Sequence, residues 1–173
     1  MRSEIETASR ETIRETQEER LRETVERAYE QVPFYRQALD DTGVAPEDIE
    51  RVEDVSKLPM TTKADFRTEY PDGLFAVDWD DVARIHASSG TTGKPKIVSY
   101  TADDLEIWSE VVARSLTAAG VDSNDVVQNS YGYGLFTGGL GLHAGVEAVG
   151  ATVIPTGGGG TARQMSMPQD LES

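Results

Sequence analysis

The sequence predicts an α/β protein in which N-terminal helices are followed by a mixed or parallel sheet with flanking helices. Three observations predict it. Apolar residues recur at helical spacing across the first 32 residues. Four short runs rich in β-branched residues begin at about residue 82. The last two of those runs flank a stretch of helical length, the pattern of a βαβ crossover. The texture changes near residue 80, which divides the chain into a helical region over 1–80 and an α/β region over 81–173.

Each element has a local cause. Leu21, Val25, Ala28, Tyr29 and Val32 form one apolar stripe on a helix that Pro33 ends or kinks. Glu18 to Arg22 and Glu23 to Arg27 are i,i+4 pairs in the favoured order. A short helix follows over 35–42, stopped by Gly43. Residues 48–57 alternate charges with Ile49, Val52 and Val55. Thr62 reads as the N-cap of a helix over 63–70, ended by Pro71. Strands are expected at 82–86 and 97–100. Thr101 and Asp104 form a capping box with Asp in place of Glu. They open a helix whose apolar face is Leu105, Trp108, Val111, Val112, Leu116 and Ala119, with Gly120 at C′. A strand at 125–129, a helix at 139–149 and a strand at 151–155 follow. Residues 157–160 give a flexible glycine loop, and a polar tail closes the chain, with Pro168 where a helix would be expected to continue.

Charge excludes some partners. The 173 residues carry 31 Asp+Glu against 16 Lys+Arg, a net charge of −15. Nucleic-acid grooves and anionic membrane surfaces need clustered Lys and Arg, so neither is an expected partner. Only four of the basic residues are Lys (57, 63, 94 and 96). An acidic, Lys-poor surface resembles proteins of salt-loving organisms, where concentrated salt screens carboxylate repulsion. Leu, Ile, Val and Phe total 37 residues, about 21%, enough for a core but not a rich one. Cys is absent, so there is no disulfide frame and no thiol chemistry. Two His without neighbouring ligand types do not make a zinc site, and no metal-ligand set is expected. No signal-peptide core or apolar run of about 20 residues occurs, and the protein reads as cytoplasmic.

Loop 88–95 carries the strongest chemical signal. It reads Ser88-Ser89-Gly90-Thr91-Thr92-Gly93-Lys94-Pro95. Glycines let the backbone approach a ligand, and hydroxyls and N–H groups can donate to phosphate oxygens. Lys94 adds a positive charge in a chain poor in lysine. A Walker A loop is excluded, because only two residues separate Gly90 from Gly93 and Pro95 follows Lys94. The alternatives at this point are a nucleotide-phosphate cradle and a plain hairpin turn. Tyr131, Tyr133 and Phe136 after a buried strand are open to packing or to aromatic stacking on a ligand. His86 and Trp108 read as structural, and His143 falls on the helix after this turn.

The loop resembles the phosphate-binding signature of the adenylate-forming enzymes. Two further segments narrow the match to the phenylacetate–CoA ligase family. One is Tyr131-Gly-Tyr-Gly-Leu-Phe-Thr-Gly-Gly-Leu-Gly-Leu-His143, similar to that family's aryl-binding stretch. The other is the opening, with Val32-Pro-Phe-Tyr-Arg36, Leu58-Pro-Met-Thr-Thr-Lys63 and Gly73-Leu-Phe-Ala76. The resemblance runs from about Leu21 onward.

It implies an incomplete part of the large domain of such enzymes and an ATP-dependent reaction in two steps. An aryl carboxylate attacks the α-phosphate of ATP, and CoA then displaces AMP from the acyl-adenylate. Ser88, Ser89, Gly90, Thr91, Thr92, Gly93 and Lys94 would hold the β- and γ-phosphates. Tyr131, Phe136 and Gly138 would form the aryl pocket. Magnesium would shield the triphosphate, with CoA as co-substrate. The family's adenine, ribose and lysine motifs have no counterpart here, so no catalytic residue is assigned and the chain alone is expected not to adenylate an acid. One part of a ligase (either a fragment of a longer chain or one half of a split enzyme with a separate C-terminal polypeptide as partner), a non-catalytic binding fragment, and a gene remnant remain the alternatives.

Overall fold

The computed structural model describes residues 4–88 and 94–171. The chain divides into two compact units, Ser3–Asp81 and one that begins at Val82.

The first unit is helical. Helix α1 (Arg10–Gln31) starts where the Ser9 hydroxyl accepts the N–H of Thr12 at 3.1 Å. Pro33 lacks the N–H that would continue it, and instead takes the first position of α2 (Pro33–Thr42). Gly43, at φ 69°, closes α2 in the left-handed conformation that glycine adopts without steric cost. Val25, Leu39 and Ile49 are the buried centre, with Leu21, Tyr29, Val44 and Leu58 packed around them. Glu18 pairs with Arg14 at 3.1 Å rather than with Arg22, whose guanidinium donates to the Glu50 carbonyl at 3.0 Å. Residues Val52–Lys57 form a 3-10 turn. Helix α3 is a single turn, Asp65–Thr68, shorter than the 63–70 expected. Thr62 and Asp65 bond to each other there, with the Thr62 N–H reaching Asp65 Oδ2 at 2.6 Å, and this fixes a turn ahead of the helix.

In the second unit the expected mixed or parallel sheet takes the form of two two-stranded ladders. Strands β1 (Arg84–Ala87) and β2 (Ile97–Tyr100) pair antiparallel, with His86 opposite Val98. Helix α4 (Ala102–Ala118) follows the expected capping box, with the Asp104 N–H reaching Thr101 Oγ1 at 3.2 Å. Strand β3 (Val126–Gln128), helix α5 (Gly138–Val149) and strand β4 (Thr152–Ile154) form the βαβ unit, and β3 pairs β4 in parallel. Helix α6 (Thr161–Asp170) replaces the expected polar tail. Its Arg, Gln and Met residues are good helix formers, and the Gln164 amide folds back to the carbonyls of Gly157 and Gly159 at 2.8 and 2.6 Å.

Helices α4 and α5 meet at glycines. A Cβ on Gly141 would lie 2.6 Å from Trp108 Nε1, and one on Gly145 would lie 2.7 Å from Val112 Cβ. The Ser109 hydroxyl donates to the Ala144 carbonyl at 3.0 Å across the same contact. The inward face of α4 differs from expectation at three positions. Ala113 is fully buried, whereas Val111 and Ala119 are exposed, because the stripe turns toward the glycine face of α5. Among the described residues, no helix is long and apolar enough to cross a membrane.

Candidate functional site

Two loops leave the carboxyl ends of the parallel strands β3 and β4. In open α/β sheets that edge is where ligands bind. The first loop is the segment 130–137, and the second is the glycine run 157–160.

Asn129, immediately after β3, is fully buried and ties both loops. Its Oδ1 accepts the Tyr131 N–H at 3.1 Å. Its amide donates to the Tyr133 hydroxyl at 2.7 Å and to the Gly139 carbonyl at 2.8 Å. Its backbone carbonyl accepts the Gly157 N–H and the Thr156 hydroxyl, each at 3.1 Å. The Tyr133 hydroxyl also meets His143 Nδ1 at 3.1 Å, and His143 Nε2 lies 3.2 Å from Glu147 Oε1. Burial raises the Tyr133 phenol above its ordinary pKa; the Glu147 charge adds to this, and the Asn129 hydrogen bond opposes it.

The outward side of segment 130–137 is apolar and open. Tyr131, Leu135 and Phe136 are each more than half exposed, at 55, 58 and 53%. Large exposed apolar groups clustered in one place are the informative kind, since isolated ones need no explanation. The Tyr131 ring lies against Gly138, where a Cβ would come within 2.5 Å of Tyr131 Cδ1. The structure therefore brings Tyr131 and Gly138 together, with Phe136 exposed on the same segment.

The phosphate-loop candidates Ser89, Gly90, Thr91, Thr92 and Gly93 lie outside the described residues. The flanking residues are described. Ser88 and Lys96 close the base of the loop, with Ser88 N–H to Lys96 carbonyl and Lys96 N–H to Ser88 Oγ both at 3.0 Å. The Ser88 hydroxyl therefore accepts one bond at the base of the loop. Lys94 is exposed at the loop's far end. His86 is buried, its Nδ1 2.9 Å from the Leu135 carbonyl, its ring edge-on to Tyr100 and Trp108. The same Leu135 carbonyl accepts the Ala87 N–H at 3.0 Å. His86, Tyr100 and Trp108 thus pack ring against ring.

The chain is 56% identical to the phenylacetate-coenzyme A ligase of Thermus thermophilus over 168 residues, which is 97% of this chain and 38% of that protein. The chain is a relative of the phenylacetate-coenzyme A ligases. The ligases of Aromatoleum evansii and Escherichia coli are 52 and 51% identical, also over 97% of the chain and 38% of each protein. The chain thus spans well under half the length of these phenylacetate-coenzyme A ligases. No family model matches it. A solved 2-hydroxyisobutyryl-CoA ligase, in complex with 2-HIB-AMP and CoA, superposes with a TM-score of 0.85 at 26% identity, covering 96% of this chain and 36% of that one. Its open conformation superposes with a TM-score of 0.77 over 88% of this chain. The α/β fold is that of part of an adenylate-forming CoA ligase, and the resemblance read from the motifs holds.

Asn129 and the Tyr133–His143 contact were not legible as site features. A carboxamide ending the apolar run Val126-Val127, just before a Gly/Tyr turn, was the available signal.

Proposed function

We propose that the chain carries the phosphate loop and aryl pocket of an AMP-forming acid–thiol ligase of the phenylacetate–CoA type. The observation that carries this is the 51–56% identity to phenylacetate-coenzyme A ligases across nearly the whole chain. The exposed aromatic segment at the carboxyl ends of β3 and β4 supports it. So does the fold shared with a ligase solved with an acyl-adenylate and CoA. The two compact units support a division into a helical region over 1–80 and an α/β region over 81–173. Sequence beyond these residues, in the same or a separate polypeptide, would complete the enzyme, and its setting would be cytoplasmic.

In this reading a carboxylate oxygen attacks the α-phosphorus of ATP, and the bond to the β-phosphate breaks to release pyrophosphate. The CoA thiol then attacks the acyl carbon, loses its proton, and AMP leaves. Tyr131 and Phe136 would flank the aryl ring, with Gly138 letting the Tyr131 ring lie flat. Ser88, Ser89, Gly90, Thr91, Thr92, Gly93 and Lys94 would bind the β- and γ-phosphates. The Ser88 hydroxyl is of a type that can donate to a phosphate oxygen. Magnesium, when bound, would shield the triphosphate charge. Among the described residues no group of three or more His, Cys, Asp or Glu is placed to hold a metal ion.

Calorimetric titration of the 173-residue chain with Mg-ATP tests the phosphate loop. Binding lost in Lys94→Ala is the expected result, and binding unchanged by that substitution would refute the loop's role.

A further inference from the structure

We propose that Tyr133 and His143 are positioning residues for the aryl segment, held by a hydrogen-bond chain whose every proton is directed from Asn129. The inference rests on the aryl-pocket reading of that segment.

The direction follows from backbone groups that have no choice. The Tyr131 N–H can only donate, so the Asn129 atom facing it is the oxygen. The Gly139 carbonyl can only accept, so the Asn129 atom facing it is the nitrogen. That nitrogen also reaches the Tyr133 oxygen, which therefore accepts. The single phenolic hydrogen is then free to go to His143 Nδ1. The Glu147 carboxylate facing Nε2 can only accept, which places an imidazole hydrogen on Nε2 and, in the neutral ring, leaves Nδ1 to accept from Tyr133. One tautomer satisfies the whole chain, and the amide orientation needs no further assumption.

The placement explains why polar groups are used here. Tyr131, Leu135 and Phe136 face outward, so packing from the front does not fix them. Their geometry is set from behind, by the Tyr131 N–H at one end of the segment, Tyr133 in the middle and Gly139 at the far end. His143 couples the middle of the segment to α5, whose first turn underlies Tyr131. An apolar side chain at position 133 could fill the same volume but could not fix rotation about the segment's axis.

Two measurements on the 173-residue chain test the proposal. Nitrogen-15 NMR of the His143 ring should show the Nε2–H tautomer, and Tyr133→Phe should release it to a mixture. Phenylacetate titration should show affinity falling about tenfold in Tyr133→Phe and in His143→Leu, the loss of one directed bond. His143→Asn, whose side-chain oxygen can stand near the Nδ1 position, should restore most of that affinity. An Nδ1–H tautomer in the unmodified chain overturns the directed chain. Equal phenylacetate affinity in all variants overturns the positioning role while leaving the pocket reading intact. An unmodified chain that does not bind phenylacetate overturns the pocket reading, and the positioning role falls with it.

Discussion

Adding one methyl group at Gly145 should destabilise the second unit, although helix propensity alone says the opposite. Gly to Ala in a helix interior is worth about 1 kcal/mol in favour of the folded state. Gly145 is buried on α5 against α4. The new Cβ would stand 2.7 Å from Val112 Cβ and 3.2 Å from the Ala113 nitrogen. The first distance is about 0.7 Å short of ordinary van der Waals contact. A Cβ cannot swing aside as a side-chain tip can, so the α4 backbone itself must move. Overpacking of this kind costs about 1–3 kcal/mol, and a backbone obstacle belongs at the upper end. The net loss is about 2 kcal/mol. For a chain of this size that lowers the melting temperature by about 4–8 °C. Thermal unfolding followed by circular dichroism reads the change. Val112→Ala in the Gly145→Ala background should recover more than half of the loss, because the obstacle is then smaller. An unchanged or raised melting temperature in Gly145→Ala would refute the interlocked contact.

Three further outcomes are expected. Gly138→Ala should weaken phenylacetate binding with little change in melting temperature, because its Cβ evicts only the exposed Tyr131 ring; unchanged binding would remove Tyr131 from the pocket. The Asp54 carboxyl is held down at about 2 by the Lys57 side chain and the N–H groups of Arg51 and Glu50. A depressed pKa contributes stability above the unfolded value near 3.9, and that stability is lost as pH falls toward 2. Asp54→Asn should therefore destabilise the helical unit at neutral pH and by much less at pH 2, and equal urea midpoints at pH 7 would sink the expectation. Melting temperature should rise with KCl up to molar concentration, as a net charge of −15 is screened; a flat or falling curve would dismiss the salt-adapted surface.

The parts of the fold that follow periodicity were legible. Helices α1 and α4, the βαβ unit and the Thr101–Asp104 cap sit where apolar spacing and capping chemistry put them. The parts that depend on tertiary contact were not. Gly141 and Gly145 look like weak points in a helix until Trp108 and Val112 are seen to fill their missing volume. Val111 matches the apolar stripe of α4 yet is exposed, since the stripe's centre is set by where α5 lies. Helix α6 carries no apolar stripe to announce it, and its start is fixed by Gln164 bonding back to the glycine loop. At the candidate site the ring and glycine types were legible from the motif. The buried Asn129 behind them was not, because one residue whose carboxamide serves the first loop and whose backbone carbonyl serves the second leaves no periodic trace.

One carbonyl has a consequence for the proposed chemistry. Leu135 O accepts from both His86 Nδ1 and the Ala87 N–H, so the aryl segment is riveted to the strand that runs directly into Ser88. Under the proposed function the acid's platform and the root of the phosphate loop would thus share a footing of a single peptide's length. The gap between two reactants would then be gauged by a strand instead of by two wandering loops. Reactant spacing held in this way is what turns a bimolecular encounter into a near-unimolecular one. It also means that a substitution reshaping the pocket for a bulkier acid, if it tilts Leu135, would drag the nucleotide's seat along with it.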